Sequence, residues 1–387
     1  MTMMLADLGA EVIKIEHPVR GDDTRSWAPP YVEGLEDQGM SSYFMCLNRN
    51  KKSLALDLQQ PRGLAIARKL ITDSKTNLLV ENFKVGGMAK FGLDYPSVSQ
   101  ENPALVYCSI TGFGQTGPYR DRPGYDLAIQ GQSGLMSITG TPDQEPQKVG
   151  VAISDIIAGL YAGNGVQAAL RQAEKTGVGQ HVDIALLDTQ IAALVNIASN
   201  YLTTKVTPQR IGNTNPTIVP YQSFGGSDGK FFIIACGNDG QFSRLANLLA
   251  KSEWSNDDRF STNPGRVRNR DKIVALLGAE FKKQPANHWV TALLDVGVPA
   301  APINDVGTSL DDEHVRARGM VQEVVFQSGQ QEIFTEMVAS PLKLSKVSMD
   351  DFSPPPFVGE HSDEILRDIL GFDDKAIAEL RDEKIIR

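Results

Sequence analysis

Short apolar runs with strand character recur at wide intervals through the first half of the chain: EVIKIE from Glu11, SLALDL from Ser53, NLLVEN from Asn77, ALVYCSIT from Ala104 and HVDIAL from His181. Segments of helical period separate several of them, and Pro61 stands where a proline opens a helix, at its first turn. Strands that alternate with helices pair in parallel through right-handed crossovers. The pattern predicts an α/β fold, an open Rossmann-like parallel sheet with helices on both faces. Ligand chemistry in such a sheet sits at the carboxyl ends of the strands.

A chain of 387 residues exceeds the usual size of one compact domain. After Tyr201 the stretch TTKVTPQRIGNTNPTIVPYQSF is rich in Thr, Pro and Asn and loses helical period, as a linker does. We read residues 1–200 as the first part of a large domain and 201–222 as a linker. Residues 223–320 read as a smaller α+β domain, and 321–387 as a return segment that completes the large one. The smaller domain opens on a predicted hairpin, YQSF then GGSDG then KFFIIAC, and continues through helical stretches near 240–249 and 270–282.

A net charge of −9 without a sustained Lys/Arg block argues against nucleic acid or an anionic membrane surface as the main partner. Cys46, Cys108 and Cys236 lie far apart with no C-x-x-C spacing, which fits a reducing compartment, and all three read as buried small apolar residues. The first residues lack the basic start and apolar core of a secretory signal. The most apolar segment, IALLDTQIAALVNIA from Ile184, is too short and too polar to span a bilayer. A soluble, cytoplasmic protein is expected.

GFGQTG, Gly112 to Gly117, is a literal G-x-G-x-x-G after a predicted strand, but Pro118 and the turn-like RDRPG follow where a phosphate-binding helix should start. That context argues for a loop and against NAD. No P-loop, G-x-S-x-G elbow or H-E-x-x-H is present, and His17, His181, His288, His314 and His361 are scattered, so no metal is expected. Lys51 and Lys52 beside one strand, and Lys84 and Lys90 after another, either hold phosphates at strand termini or form a solvated face. In GVAISDIIAGLYAG, Gly150 to Gly163, one carboxylate, Asp155, interrupts an apolar run with only Ser154 and Tyr161 as polar company. With residues 151–172 read as a helix, Asp155 lies near its first turn and either caps it or is a desolvated, reactive carboxylate.

The whole chain resembles the class III CoA-transferases, the family of formyl-CoA transferase and L-carnitine CoA-transferase. The matching stretches include MLADLGAEVIKIE with GDDTR after it, SSYFMCLNRNKKSLALDL, LLVENFKVGGMAKFGL, VYCSITGFGQTGP, GYDLAIQGQSGLMSITG, GVAISDIIAGLYA, TGVGQHVDIALLD, GVPAAPIND and GEHSDEIL, in family order. The resemblance implies that Asp155 is the catalytic aspartate, moving coenzyme A from an acyl-CoA donor to a carboxylic acid acceptor through a covalent aspartyl intermediate. It implies CoA contacts at His17, Leu56, Asp57, Asn82, Phe83, Lys84, Lys90, Tyr125 and Asp126. It further implies a homodimer of interlocked chains, and succinyl-CoA with a small dicarboxylate as the family-level substrate expectation. Family members begin with a strand and an Ala-Gly-Pro turn ahead of the helix that opens this sequence, so part of the sheet and of the CoA site is expected upstream. Rival readings are an α-methylacyl-CoA racemase, whose family has G-H-D where this chain has Gly124-Tyr125-Asp126, and a CoA-binding protein without turnover. Tyr125 is a poor base near neutral pH, which favours transfer.

Overall fold

The computed structural model describes residues 1–73, 75–349 and 353–387. The end of the helix expected from Pro61 and part of the return segment fall on the residues outside that description. The chain divides into two compact units, one of Met1–Ser133, Gly150–Val195 and Asp312–Arg387, the other of Gly134–Val149 and Asn196–Asp311.

In the first unit the alternation of runs and helices becomes parallel pairing. Strand β1, Val12–Glu16, pairs in parallel with β2, Lys51–Ala55. Strand β4, Val106–Thr111, lies between β3, Leu78–Glu81, and β5, His181–Ala185, again in parallel. The centre of this piece, Val106 to Ser109, is buried on both faces, which is why ALVYCSIT reads as a continuous apolar run rather than an alternating one. No strand ladder joins the two pieces among the described residues; a shared core ties them. Leu54 and Leu56 from β2 and the residue after it, Tyr107 from β4 with Leu105 just before it, and Ile66 and Leu70 from α3, Pro61–Thr72, meet in that core. Ile365, Leu366, Ile377 and Leu380 complete it. The chain then returns to β2: Asp57 N–H donates to Ile385 O at 2.9 Å, and Leu56 bridges Ile386.

The long helix Ile153–Thr176 covers the other face of β3–β4–β5. Its buried stripe, Ala158, Ala162, Val166, Ala169 and Ala173, advances by four or three residues, and its small side chains let the helix approach Val106 and Cys108 closely. The helix ends at Gly177 in the left-handed region (φ +72°). Two residues on, a Cβ at Gly179 would stand 2.0 Å from Leu105 O, so only glycine fits where the chain crosses back to start β5.

The second unit has its own core. Strands β6, Tyr221–Gly225, and β7, Phe231–Ala235, form the antiparallel hairpin expected around GGSDG, and β8, Ala300–Pro302, adds a third strand. Phe281 is the hub of its aromatic packing, edge-on to Phe224 (5.0 Å), Phe232 (5.2 Å) and Trp289 (5.3 Å). The linker stretch is only partly irregular, since helix Val195–Thr204 enters it. Gly212 N–H donates to Gly140 O (3.0 Å) and Arg210 reaches Thr141 O (3.2 Å) and Gln144 O (3.0 Å). These bonds draw Gly134–Val149 into this unit, a long-range pairing that composition does not reveal.

One cysteine departs from expectation. Cys108 and Cys236 are buried, whereas Cys46 is exposed on the short helix Ser42–Asn48, where the buried positions are Phe44 and Asn48.

The loop after β4 leaves at Gly112 and returns at Gly124, and the two backbones touch: a Cβ on Gly112 would lie 2.6 Å from Gly124 Cα. We expect Gly112→Ala to destabilise the protein by about 1–3 kcal/mol, as overpacking against backbone does, measured as a lower midpoint of urea unfolding. An unchanged midpoint would contradict this contact.

Candidate active site

With the remaining helices of the site placed, labels follow chain order: α1 is Thr2–Asp7, α2 Ser42–Asn48, α3 as above, α4 Asp126–Gln132, α5 Ile153–Thr176 and α6 Leu186–Ala192. The first turn of a helix presents N–H groups without intrahelical acceptors. In α5 the N-cap residue, Ala152, has no side chain able to accept from them. Asp126, at the start of α4, does so instead, its Oδ1 accepting from Ser154 N–H at 2.8 Å while its Oδ2 accepts from Gln130 Nε2 at 2.7 Å. Ser154 Oγ donates to Gln190 Oε1 of α6 at 2.9 Å, and both residues are buried.

Asp155 therefore caps nothing. Its carboxylate makes no hydrogen bond or ion pair to any described residue. Its pKa is raised to about 6, first by loss of hydration and second by the charge of Asp126. The helix dipole acts the other way, favouring the anion by about 0.3–1 kcal/mol, and is outweighed. In the isolated chain the residue as a whole is exposed, so the loss of hydration behind this shift is partial. A carboxylate of this kind is ionised at neutral pH yet more basic, and more nucleophilic, than an ordinary aspartate.

An aromatic pair stands within the electrostatic reach of this carboxylate. Tyr43 on α2 has its phenol raised by burial first, then by the charges of Asp155, Cys46 and Asp126. Trp27 packs edge-on against it at 4.9 Å. The order that places them starts in β1: Glu16 binds Arg25 through Nε (2.9 Å) and Nη2 (2.7 Å) in a buried pair, and Arg25 stacks on Phe44 at 3.7 Å. Ser41 Oγ accepts from Phe44 N–H (3.0 Å) to start α2 and donates to Thr24 O (2.6 Å), tying that helix to the loop bearing Trp27. Neither aromatic was marked as a site residue in the sequence. Tyr43 lies within SSYFMCLNRNKKSLALDL and Trp27 two residues beyond GDDTR, but only folding brings Tyr43, with Trp27 against it, within reach of Asp155.

The residues implied as CoA contacts lie at the carboxyl ends of the parallel strands. His17 follows β1, with Nδ1 accepting from Val19 N–H at 3.1 Å. Leu56 and Asp57 follow β2. Leu56 is 1% exposed as a whole residue and its N–H is bonded to Glu16 O, so in this structure it offers a ligand almost no surface, against the expected CoA contact. The Asp57 carboxylate accepts from Gln59 N–H at 2.9 Å. Asn82, Phe83 and Lys84 follow β3 and are exposed, as is Lys90 on the turn Met88–Phe91, with Phe83 edge-on to Phe91 at 6.3 Å. Neither Lys84 nor Lys90 forms an ion pair among the described residues. The other two lysines behave differently. Lys52 is held by Glu11 (2.6 Å) and Glu364 (2.7 Å). Lys51 donates to Asn48 Oδ1 at 2.9 Å and is lowered to about 7, by burial and then by Lys14. These two serve the fold. Tyr125, just before α4, is 74% exposed, and Asp126 has both oxygens committed within the protein.

The glycines of GFGQTG turn the chain rather than open a helix. Gly114 N–H donates to Thr111 Oγ1 and Gln115 N–H to Asp183 Oδ2, both at 2.9 Å, and the next labelled helix is α4. No helix among the described residues is long and apolar enough to cross a membrane.

An α/β fold that presents an unbonded, basic carboxylate is compatible with covalent acyl chemistry, and comparison with known proteins gives the chain its family. The model of CoA-transferase family III matches residues 1–362, and the chain belongs to that family. It is an enzyme that transfers CoA from an acyl-CoA donor to a carboxylic acid. It is 44% identical over 367 residues to succinate–glutarate CoA-transferase of Agrobacterium fabrum, spanning 95% of this chain and 90% of that protein. It is 39% identical over 380 residues to succinyl-CoA:glutarate CoA-transferase of Homo sapiens, spanning 98% of this chain and 84% of that one. Among solved structures, a CAIB/BAIF family protein from Brucella suis superposes with a TM-score of 0.82 at 44% identity, over 94% of this chain and 93% of that one.

The raised pKa of Asp155 has a stability consequence. A group whose folded pKa lies above its unfolded value of 3.8 is disfavoured as the anion in the fold, so its stabilising contribution is full below 3.8 and is lost as pH rises through about 6. We expect Asp155→Asn to be more stable than the parent at pH 7.5, by about 1 kcal/mol given the screening at an exposed residue. The advantage should shrink as pH falls from 7 towards 4. Thermal unfolding of both proteins across that range checks the sign.

Proposed function

We propose that Asp155 carries the transfer as a covalent nucleophile, with succinyl-CoA as donor and a small dicarboxylate of the glutarate type as acceptor. The observation that carries the reading is the unbonded Asp155 carboxylate, held basic at the start of α5. The two glutarate-acting relatives support the substrate class.

One Asp155 oxygen attacks the thioester carbonyl of succinyl-CoA, the C–S bond breaks, and CoA thiolate leaves a mixed anhydride between aspartate and succinate. The thiolate then attacks the Asp155 side-chain carbonyl, which releases succinate and leaves an aspartyl-CoA thioester. The acceptor carboxylate attacks that thioester to give a second anhydride, and the thiolate returns to the acceptor's carbonyl, forming the new thioester and freeing Asp155. Each intermediate keeps an activated acyl group, so no ATP is consumed, and each is hydrolysable, so water has to be excluded.

In this reading the strand-end residues His17, Asp57, Asn82 and Phe83 receive the nucleotide end of CoA. Lys84 and Lys90, free of protein carboxylates, pair with its phosphates. Tyr125 borders the pantetheine tip. The active form is an interlocked homodimer in the cytoplasm. Exposed Ile156 and Leu160, one turn apart on α5, support a covering partner.

Intact mass after incubation with succinyl-CoA tests the chemistry. A CoA-sized adduct is expected, and Asp155→Asn is expected to abolish it and to lower kcat by at least about three orders of magnitude. Tight CoA binding with no adduct would turn the reading into a binding protein. In the same assay Lys84→Glu is expected to raise KM for succinyl-CoA by about ten-fold with little change in kcat. A panel of acids, scored for new thioesters, should favour five-carbon dicarboxylates over monocarboxylates.

A further inference from the structure

A nucleophile on an exposed first turn has to be held in one position, and neither its own side chain nor its N-cap residue does this. The holding groups meet one residue earlier. Ser154 is fully buried, and it is tied from two other helices at once: its N–H to Asp126 of α4 and its Oγ to Gln190 of α6. Gln190 is itself 1% exposed, and Gln130 Nε2 fixes the second Asp126 oxygen. Restraining both the backbone nitrogen and the side chain of Ser154 anchors the residue that immediately precedes Asp155 in the first turn.

We propose that Asp126 and Gln190 are positioning residues for the transfer reaction, a clamp on Ser154 that holds the Asp155 carboxylate in one attack geometry towards the thioester carbonyl. This rests on Asp155 being the nucleophile. It gives Asp126 a role other than contact with CoA, and Gln190 a role that no motif assigns.

The clamp also has an electrostatic side, because one arm is an anion. Titratable groups on the elements packed with α5 are Asp126 on α4, Asp188 on α6 and the Met1 amino group beside Gly159, and Tyr43 on α2 feels the charges of Asp155, Cys46 and Asp126. Beyond lost hydration, Asp126 is the one whose charge raises Asp155. Asp126 thus serves twice, as an acceptor that orients and as a like charge that makes the nucleophile more basic.

Asp126→Asn separates these effects from simple helix capping, since the amide oxygen still accepts from Ser154 N–H while the charge is gone. The rate of adduct formation with succinyl-CoA, followed between about pH 4.5 and 8, is expected to fall on the acid side with a midpoint near the Asp155 pKa. In Asp126→Asn that midpoint should move down by at least about 0.5 unit. Gln190→Leu keeps the volume and removes the acceptor. It should lower kcat by about ten- to hundred-fold while KM for succinyl-CoA changes less than about two-fold. An unmoved midpoint in an Asp126→Asn protein that still forms the adduct overturns the electrostatic arm. Unchanged kcat in Gln190→Leu overturns the positioning arm. Should Gln190→Leu not fold, Ser154→Ala tests the same bond, with the same split between kcat and KM. If the parent protein forms no adduct, the nucleophile assignment fails, and this inference fails with it; that result is distinct from the other two.

Discussion

Two aspartates from different helices divide one task between them at the start of α5. A helix start demands an acceptor for its free N–H groups, and the nearest carboxylate in sequence, Asp155, does not supply it; Asp126 does, across 28 residues of chain. Because that demand is met from outside, Asp155 is left with an unshared charge in a poorly hydrated place. Its raised basicity thus goes with where another residue's hydrogen bond goes, and the proposed transfer chemistry rests on it.

The rest of the first unit serves to bring those two residues together. The alanine-rich stripe of α5 seats the helix close against β4 and sets the height of its first turn above the strand ends. The crossing of Gly112 over Gly124 directs the chain from β4 back to α4. The buried Glu16–Arg25 pair orders the loop and helix that carry Trp27 and Tyr43. A buried ion pair is weak evidence for stability, because desolvation offsets much of the attraction, but breaking one partner leaves a charge stranded. Its role here is to define a position.

Periodicity and turn chemistry made the frame legible: the parallel strands, the helix opened by Pro61 and the hairpin around GGSDG all follow from local pattern. Asp155 was conspicuous as an isolated charge in an apolar run, yet sequence left capping and catalysis open, because the competing capper sits on another helix. Trp27, Tyr43 and Gln190 carried no local signal, since each acquires its meaning from a contact that is long-range in the chain. Lys51 and Lys52 resembled Lys84 and Lys90 as strand-end cations, and only the positions of Glu11, Glu364 and Asn48 distinguish them. Cysteine composition points Cys46 to the core, but it occupies the outward side of a short helix whose inward side is filled by Phe44.

The backbone contact between Gly112 and Gly124 closes residues 113–123 into a loop pinched at its neck. The neck fixes where the chain leaves β4 and where it enters Asp126, while just inside it Phe113 packs on the cluster of Ile129, Ala158 and Leu186 and Gln115 bonds Asp183. Changes of length are therefore accommodated in the exposed part of the loop, residues 116–123, rather than at its neck.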